Sequence, residues 1–69
     1  MSDRSLERGI VELLKARHIG GLTIWEVHAQ DGIATVRGRA ESPFAKRVCR
    51  ECCRHVTGVR GVIDLIELS

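Results

Sequence analysis

The sequence predicts an α+β domain in which two helices pack on one face of a three-stranded mixed sheet, in the order αββαβ. Two segments carry apolar residues at helical spacing, and three others are rich in β-branched and apolar residues. Asp31-Gly32 joins two of the strand-like segments by a pair typical of tight hairpin turns. Because each helix has one apolar stripe and the sheet one apolar face, both helices are expected on that face.

Length and composition restrict the functional class. The chain has 69 residues and a formal net charge of +2, so we expect one domain, residues 1–69, and no general affinity for nucleic acid. No apolar run reaches the ~18 residues of a membrane span, and the N-terminus lacks the pattern of a signal peptide. If this is the whole natural chain, we expect it in the cytoplasm; for an excised domain that expectation does not hold.

The first helix and the hairpin follow from periodicity. The helix is predicted by apolar residues at helical spacing, namely Leu6, Ile10, Leu13 and Leu14, and it ends at Gly20-Gly21. The strands Leu22–Gln30 and Ile33–Ala40 flank the turn. With Asp31-Gly32 as the turn, Glu26 faces Arg37 and Trp25 lies over Gly38 on the apolar face.

The second helix begins with Ser42 as N-cap and Pro43 as its first residue. We expect it to end at Gly58 and to be followed by a strand from about Val62 to Leu68, parallel to the preceding strand. Gly58-Val59-Arg60-Gly61 is interpreted as a helix cap and turn. The expected buried stripe of the helix consists of Ala45, Val48, Cys49, Cys52 and Val56.

These segments resemble the BON (bacterial OsmY and nodulation) domain family over nearly the whole chain. The hairpin residues 31–38 with Ala40 are similar to the family's glycine-rich hairpin, and Ala45, Val56, Gly58-Val59 and Val62 are similar to its C-terminal half. The resemblance implies the αββαβ topology and a binding module without catalysis, whose relatives are generally proposed to bind phospholipid or membrane surfaces. The chain departs from the family in carrying three cysteines on the second helix, where small apolar residues are usual.

The outer face of the second helix is the first candidate site. It carries one carboxylate, Glu51, and four cationic side chains, Lys46, Arg47, Arg50 and Arg54. A basic amphipathic helix is typical of association with anionic lipid, at ~1 kcal/mol per basic residue near an anionic bilayer. The alternative interpretation is an ordinary solvated helix face.

The open face of the sheet is the second candidate. Its predicted apolar residues are Leu22, Ile24, Ile33, Ile63 and Leu65. Branched apolar residues on a face without a covering helix indicate a protein partner or a second copy of the chain. The alternatives are that loops and the N-terminus cover part of this face, or that the strand faces are assigned wrongly.

We expect no metal, no cofactor and no catalytic site. The segment from Cys49 to His55 contains a C-x-x-C motif, but on one continuous helix its donors point in different directions and cannot close around an ion. Cys49 and Cys52 are expected to be small buried hydrophobes. Cys53 is expected to be partly exposed, which leaves a reactive thiol there as an open possibility. No nucleophile, base and orienting group come together, so an enzyme is not expected.

Overall fold

The computed structural model describes residues 3–69 and has the predicted α+β architecture. The strands lie in the order β1-β2-β3; β1 and β2 pair antiparallel, and β2 and β3 pair parallel. Both helices pack against one face of this mixed sheet and against each other. The elements are α1 (Asp3–Arg17), β1 (Leu22–Gln30), β2 (Ile33–Ala40), α2 (Pro43–Arg54) and β3 (Gly61–Leu68).

The turn and the start of α2 have the predicted local geometry. Asp31 and Gly32 both adopt positive φ, 53° and 81°, as a type I′ hairpin turn requires. The hydroxyl of Ser42 accepts a hydrogen bond from the Ala45 N–H at 3.1 Å, which satisfies one free donor of the first helical turn. α2 ends at Arg54, four residues before the predicted end, because a tighter turn follows it in which the His55 N–H donates to the Cys52 carbonyl at 3.2 Å.

The core lies between the two helices and the covered face of the sheet. The residues that the sheet contributes are mostly small, which lets both helices approach it closely. The buried residues are Leu6, Ile10 and Leu14 of α1, Ala45, Cys49 and Cys53 of α2, and Ala29, Ala34, Val36, Ala40 and Ile66 of the sheet.

A β-bulge at Trp25 interrupts the predicted register of β1. From Gln30 to Glu26 the pairing follows the prediction, but Ile24 then pairs with Gly38, and Trp25 is the extra residue. The expectation that Trp25 packs over Gly38 in the core is therefore wrong, and the indole side chain is 55% exposed.

The bulge also reverses the faces of the first residues of β1. Leu22 and Ile24 pack against the core cluster, so the prediction that they lie on the open face is wrong. The reason is the period of two in a strand: one inserted residue exchanges the two faces for every residue beyond it. The apolar part of the open face thus lies on β2 and β3 alone.

A close backbone approach accompanies this irregularity. A Cβ atom built on Gly38 would overlap the carbonyl oxygen of Thr23 and lie 3.1 Å from the Ile24 Cα. Only glycine leaves room for the bulged strand at this point, so the bulge requires Gly38.

We expect Gly38→Ala to lower the free energy of unfolding by at least about 1–3 kcal/mol, because backbone atoms must move to accept the new methyl group. Gly20→Ala is the matched control, since its Cβ would meet no atom within 4 Å, and it should stay within about 0.5 kcal/mol of the parent. Urea denaturation followed by circular dichroism measures both values. Equal stability of the two variants would contradict the proposed role of Gly38.

Candidate functional site

A basic face on α2 brings together the four predicted cationic side chains. The helix is oriented by Ala45, Cys49 and Cys53, which follow one another at intervals of four and are buried. The opposite side of the helix therefore faces solvent. Lys46 lies half-buried at the boundary, and the three arginines are exposed. The basic face consists of Lys46, Arg47, Arg50 and Arg54.

The basic face holds more positive charge than the chain as a whole. The segment Pro43–Arg54 has four cationic side chains and one carboxylate, whereas the whole chain has a formal net charge of +2. The rest of the chain therefore carries one net negative charge. This distribution gives the domain one basic side and no general basic surface.

Glu51 is the carboxylate that opposes these charges. Its two oxygens accept hydrogen bonds from Nη1 of Arg54 at 3.1 and 3.3 Å, and Nε2 of His55 lies 4.0 Å from Oε2. Within residues 3–69 no ion pair engages Lys46, Arg47 or Arg50. These three cationic groups are available to an external anion.

An exposed aromatic ring lies beside the arginines. Phe44 is 73% exposed at the start of α2, and it precedes Arg47 by three residues, which places both side chains on one side of the helix. The sequence reasoning did not select Phe44. The signal that could have identified Phe44 as exposed was its position just outside the buried stripe that begins at Ala45.

A basic pocket lies where α2 approaches the start of β3. Three arginines line it, two from the basic face and one from the loop that follows α2, and its volume is about 410 Å³. The residues lining the basic pocket are Arg50, Arg54, Val59, Arg60, Gly61 and Val62. Three arginines thus line one small concavity.

The third arginine, Arg60, is held by the hairpin turn. Its N–H donates to the carbonyl of Gly32 at 2.7 Å. Its side-chain stem lies so close to Gly32 that a Cβ there would come within 2.9 Å of both Cγ and Cδ of Arg60. The sequence reasoning missed Arg60, because its nearness to α2 depends on how the chain crosses from α2 into β3.

The open face carries a small apolar patch, defined here as Ile33, Ile63 and Leu65. Ile63 and Leu65 are 48% and 49% exposed, and Ile33 is half-buried. Their neighbours across the β2–β3 pairing are polar, since Ile63 pairs with Thr35 and Leu65 with Arg37. Arg37 in turn faces Glu26 at 4.0 Å, the cross-strand charge pair that the sequence predicts.

A larger concavity of about 610 Å³ lies between α1, the loop that follows it and β1. Its walls are mainly apolar and include Leu14, Ile19 and Ile24, with Lys15 and His18 also lining it. The bulged Trp25 borders this groove, and no residue of the basic face lines it. The bulge thus takes Trp25 out of the ladder and sets it beside a groove that the sequence did not predict.

The thiols of α2 differ from the prediction. Cys53 is fully buried and Cys49 is 1% exposed, whereas Cys52 is partly exposed. The expectation that Cys53 is partly exposed is wrong, because α2 is oriented with Cys53 on its buried side. A hydrogen bond to Cys49, together with burial, raises the pKa of the Cys53 thiol above its ordinary value of 9.0. Such an environment disfavours the reactive thiolate at Cys53.

Residues 3–69 contain neither a cluster of metal ligands nor a helix suited to span a membrane. No three His, Cys, Asp or Glu side chains in this part of the chain are grouped so that they could hold a metal ion. Neither of the two described helices has the length and apolar character needed to cross a membrane.

The profile of the BON domain family matches residues 2–69. The match therefore includes both helices, all three strands, the basic face and the basic pocket. None of the curated proteins matches the chain.

Alkylation of the native protein tests the assignment of the thiols. We expect Cys52 to react with iodoacetamide well before Cys49 and Cys53. Both of the latter are buried, and the raised pKa of Cys53 also disfavours its ionisation. In concentrated urea all three should react at similar rates. Peptide mass spectrometry measures the order in which the three thiols are modified. Rapid modification of Cys53 in the folded state would show that α2 is oriented differently.

Proposed function

Because the chain belongs to the BON domain family, we propose that it is a binding module that associates with anionic phospholipid surfaces through the basic face of α2. Members of this family are non-catalytic binding domains linked to phospholipid or protein interactions. The observation that carries the proposal is the set of four cationic side chains on one helix, three of them exposed; within residues 3–69, an ion pair engages Arg54 alone among them.

The strength of such an association follows from the charges. At ~1 kcal/mol per basic residue close to an anionic bilayer, four residues supply about 4 kcal/mol. A free energy of that size corresponds to a dissociation constant of about 1 mM. One domain therefore binds weakly, and stable attachment needs two copies or a tether to another membrane-bound segment.

Phe44 adds an apolar contribution to the same surface. An exposed ring beside cationic groups suits the boundary between headgroups and acyl chains, where apolar side chains insert and charged ones stay in water. With Phe44 and Arg47 on one side of the helix, α2 would lie parallel to the membrane plane. The apolar groove at Trp25 lies on the other helix and would stay in water.

Charge reversal on α2 should abolish the association. We expect Arg47→Glu/Arg50→Glu to eliminate co-sedimentation with vesicles containing phosphatidylglycerol at low salt, because two positive charges are replaced by two negative ones at the contact. The matched control is Arg4→Glu/Arg8→Glu, which makes the same change in net charge on exposed positions of α1 and should retain binding.

Salt and fluorescence complete this test. Wild-type binding should weaken as salt rises, since screening shortens the Debye length from about 30 Å at 0.01 M to about 10 Å at 0.1 M. Trp25 is the chain's single tryptophan and there is no tyrosine, so its emission should not shift when α2 docks. Absence of binding to anionic vesicles at low salt would refute the proposal.

A second candidate function is self-association through the apolar patch of the open face. The specific observation is that Ile63 and Leu65 are about half exposed on a sheet face that neither of the described helices covers. Burying them against a second copy would give the small domain additional apolar contact, at about 25 cal/mol per Å² of area removed from water.

Ile63→Glu distinguishes this candidate from the first. We expect it to convert any dimer to monomer in analytical ultracentrifugation and to leave vesicle binding unchanged. Leu68→Glu is the control, because Leu68 is similarly exposed, at 52%, and points to the other side of β3. A wild-type chain that stays monomeric at high concentration would exclude this second candidate.

A further inference from the structure

We propose that the basic pocket formed by Arg50, Arg54 and Arg60 binds a single phosphomonoester group and prefers it to a phosphodiester. The phosphate could be presented by a lipid headgroup or by a soluble molecule, and both present the same chemistry to the pocket. For a lipid source the inference rests on the proposed membrane association, which it refines by naming the headgroup.

The first argument is the type and placement of the donors. Arg50 and Arg54 are separated by one helical turn and lie on one side of α2, and Arg60 lines the same concavity from the loop between α2 and β3. A guanidinium group presents planar pairs of N–H donors that match the oxygens of a phosphate. Three such groups from two directions can contact several oxygens of one phosphate, which arginines in a single row along one helix cannot do.

The second argument is charge balance. Three arginines line the pocket, and within residues 3–69 the carboxylate paired with one of them is Glu51, on Arg54. The local net charge of the pocket is therefore two positive charges. A phosphomonoester carries about −1.5 to −2 at pH 7 and neutralises that charge, whereas a phosphodiester carries a single negative charge and leaves part of it uncompensated.

The third argument is that Arg60 is already positioned. The N–H bond to the Gly32 carbonyl holds the backbone of Arg60, and the stem of its side chain lies beside the same glycine, which limits the positions that the stem can take. A restrained side chain loses less conformational entropy when it contacts a ligand. We therefore assign to Arg60 the larger share of the preference for a phosphomonoester.

Glu51 limits the affinity of the pocket. It accepts two hydrogen bonds from Arg54, and a phosphate must compete with it for that guanidinium. Glu51→Gln removes the negative charge and keeps the shape of the side chain. The variant should bind a phosphomonoester more tightly than the wild type, which a merely structural role of Glu51 does not predict.

The test with soluble probes uses the whole chain and NMR titration with glycerol 3-phosphate, a phosphomonoester, and dimethyl phosphate, a phosphodiester. We expect glycerol 3-phosphate to bind more tightly and to shift the amide signals of Arg50, Arg54 and residues 59–62. Arg60→Gln should weaken its binding about tenfold or more, since hydrogen bonds to charged groups contribute about 1.5–3 kcal/mol. Arg47→Gln is the matched control; it removes one arginine charge of α2 outside the pocket and should change the affinity much less.

The test with vesicles compares phosphatidic acid, a phosphomonoester lipid, with phosphatidylglycerol, a phosphodiester lipid, at equal surface potential. We expect the wild type to prefer phosphatidic acid and Arg60→Gln to lose that preference while it still binds both. Arg60→Lys should recover only part of the preference, because it restores the charge without the paired donors.

The outcomes separate this inference from the proposed function. If anionic vesicles bind but show no preference, and Arg60→Gln behaves like Arg47→Gln, the pocket assignment is overturned and membrane association stands. If glycerol 3-phosphate binds in the pocket but no vesicle does, the pocket assignment stands for a soluble phosphate and the membrane function fails. Absence of both kinds of binding overturns both.

Discussion

The close approach of the Thr23 carbonyl to Gly38 is the constraint on which the arrangement of surfaces depends. It accompanies the bulge that makes Trp25 an extra residue and turns Leu22 and Ile24 toward the helices. Without the bulge, the start of β1 would present those two apolar side chains on the open face. With the bulge, these two side chains enlarge the core. A domain of 69 residues has little apolar surface to spare.

On each edge strand of the sheet a carboxylate accepts a hydrogen bond from one backbone N–H, which favours contacts through faces. On β1, the Ala29 N–H donates to Oε2 of Glu7 at 2.8 Å, and on β3, the Ile66 N–H donates to Oδ1 of Asp64 at 2.9 Å. Both strands are edge strands, whose free N–H groups would otherwise be available to pair with another chain. Together with the bulge on β1, these bonds make strand addition a poor mode of association. The helix face and the open sheet face remain as the surfaces suited to partners.

The sequence was sufficient for the features that depend on local chemistry. The hairpin turn at Asp31-Gly32 and the N-cap at Ser42 were predictable because each residue type has a specific backbone or hydrogen-bonding role. The bulge was not predictable, because the alternation of Leu22-Thr23-Ile24-Trp25 suits either register and the deciding contact, with Gly38, is not local. Trp25 and Ile24 were therefore placed on the wrong faces for one common reason.

The candidate site shows the same division between local and tertiary signals. The basic face followed from helical spacing, since Arg47, Arg50 and Arg54 must lie on one side of any helix that includes them. Whether Cys52 or Cys53 is the buried thiol depends on the rotation of α2 about its axis. The pattern of neighbouring apolar residues in the sequence does not determine that rotation. Arg60 could not be assigned to the site, because it is a loop residue whose position depends on its contacts with Gly32.

The basic surface combines two parts that act over different distances. The exposed arginines of α2 act through a field that extends about one Debye length, so they attract any anionic surface and respond strongly to salt. The basic pocket acts only in contact, where the geometry of paired N–H donors distinguishes one phosphate group from another. Because Arg50 and Arg54 belong to both parts, the attraction that brings the domain to a surface also directs a phosphate toward the pocket. In this scheme the face supplies most of the affinity, and Arg60, held in place by the hairpin turn, supplies the selectivity.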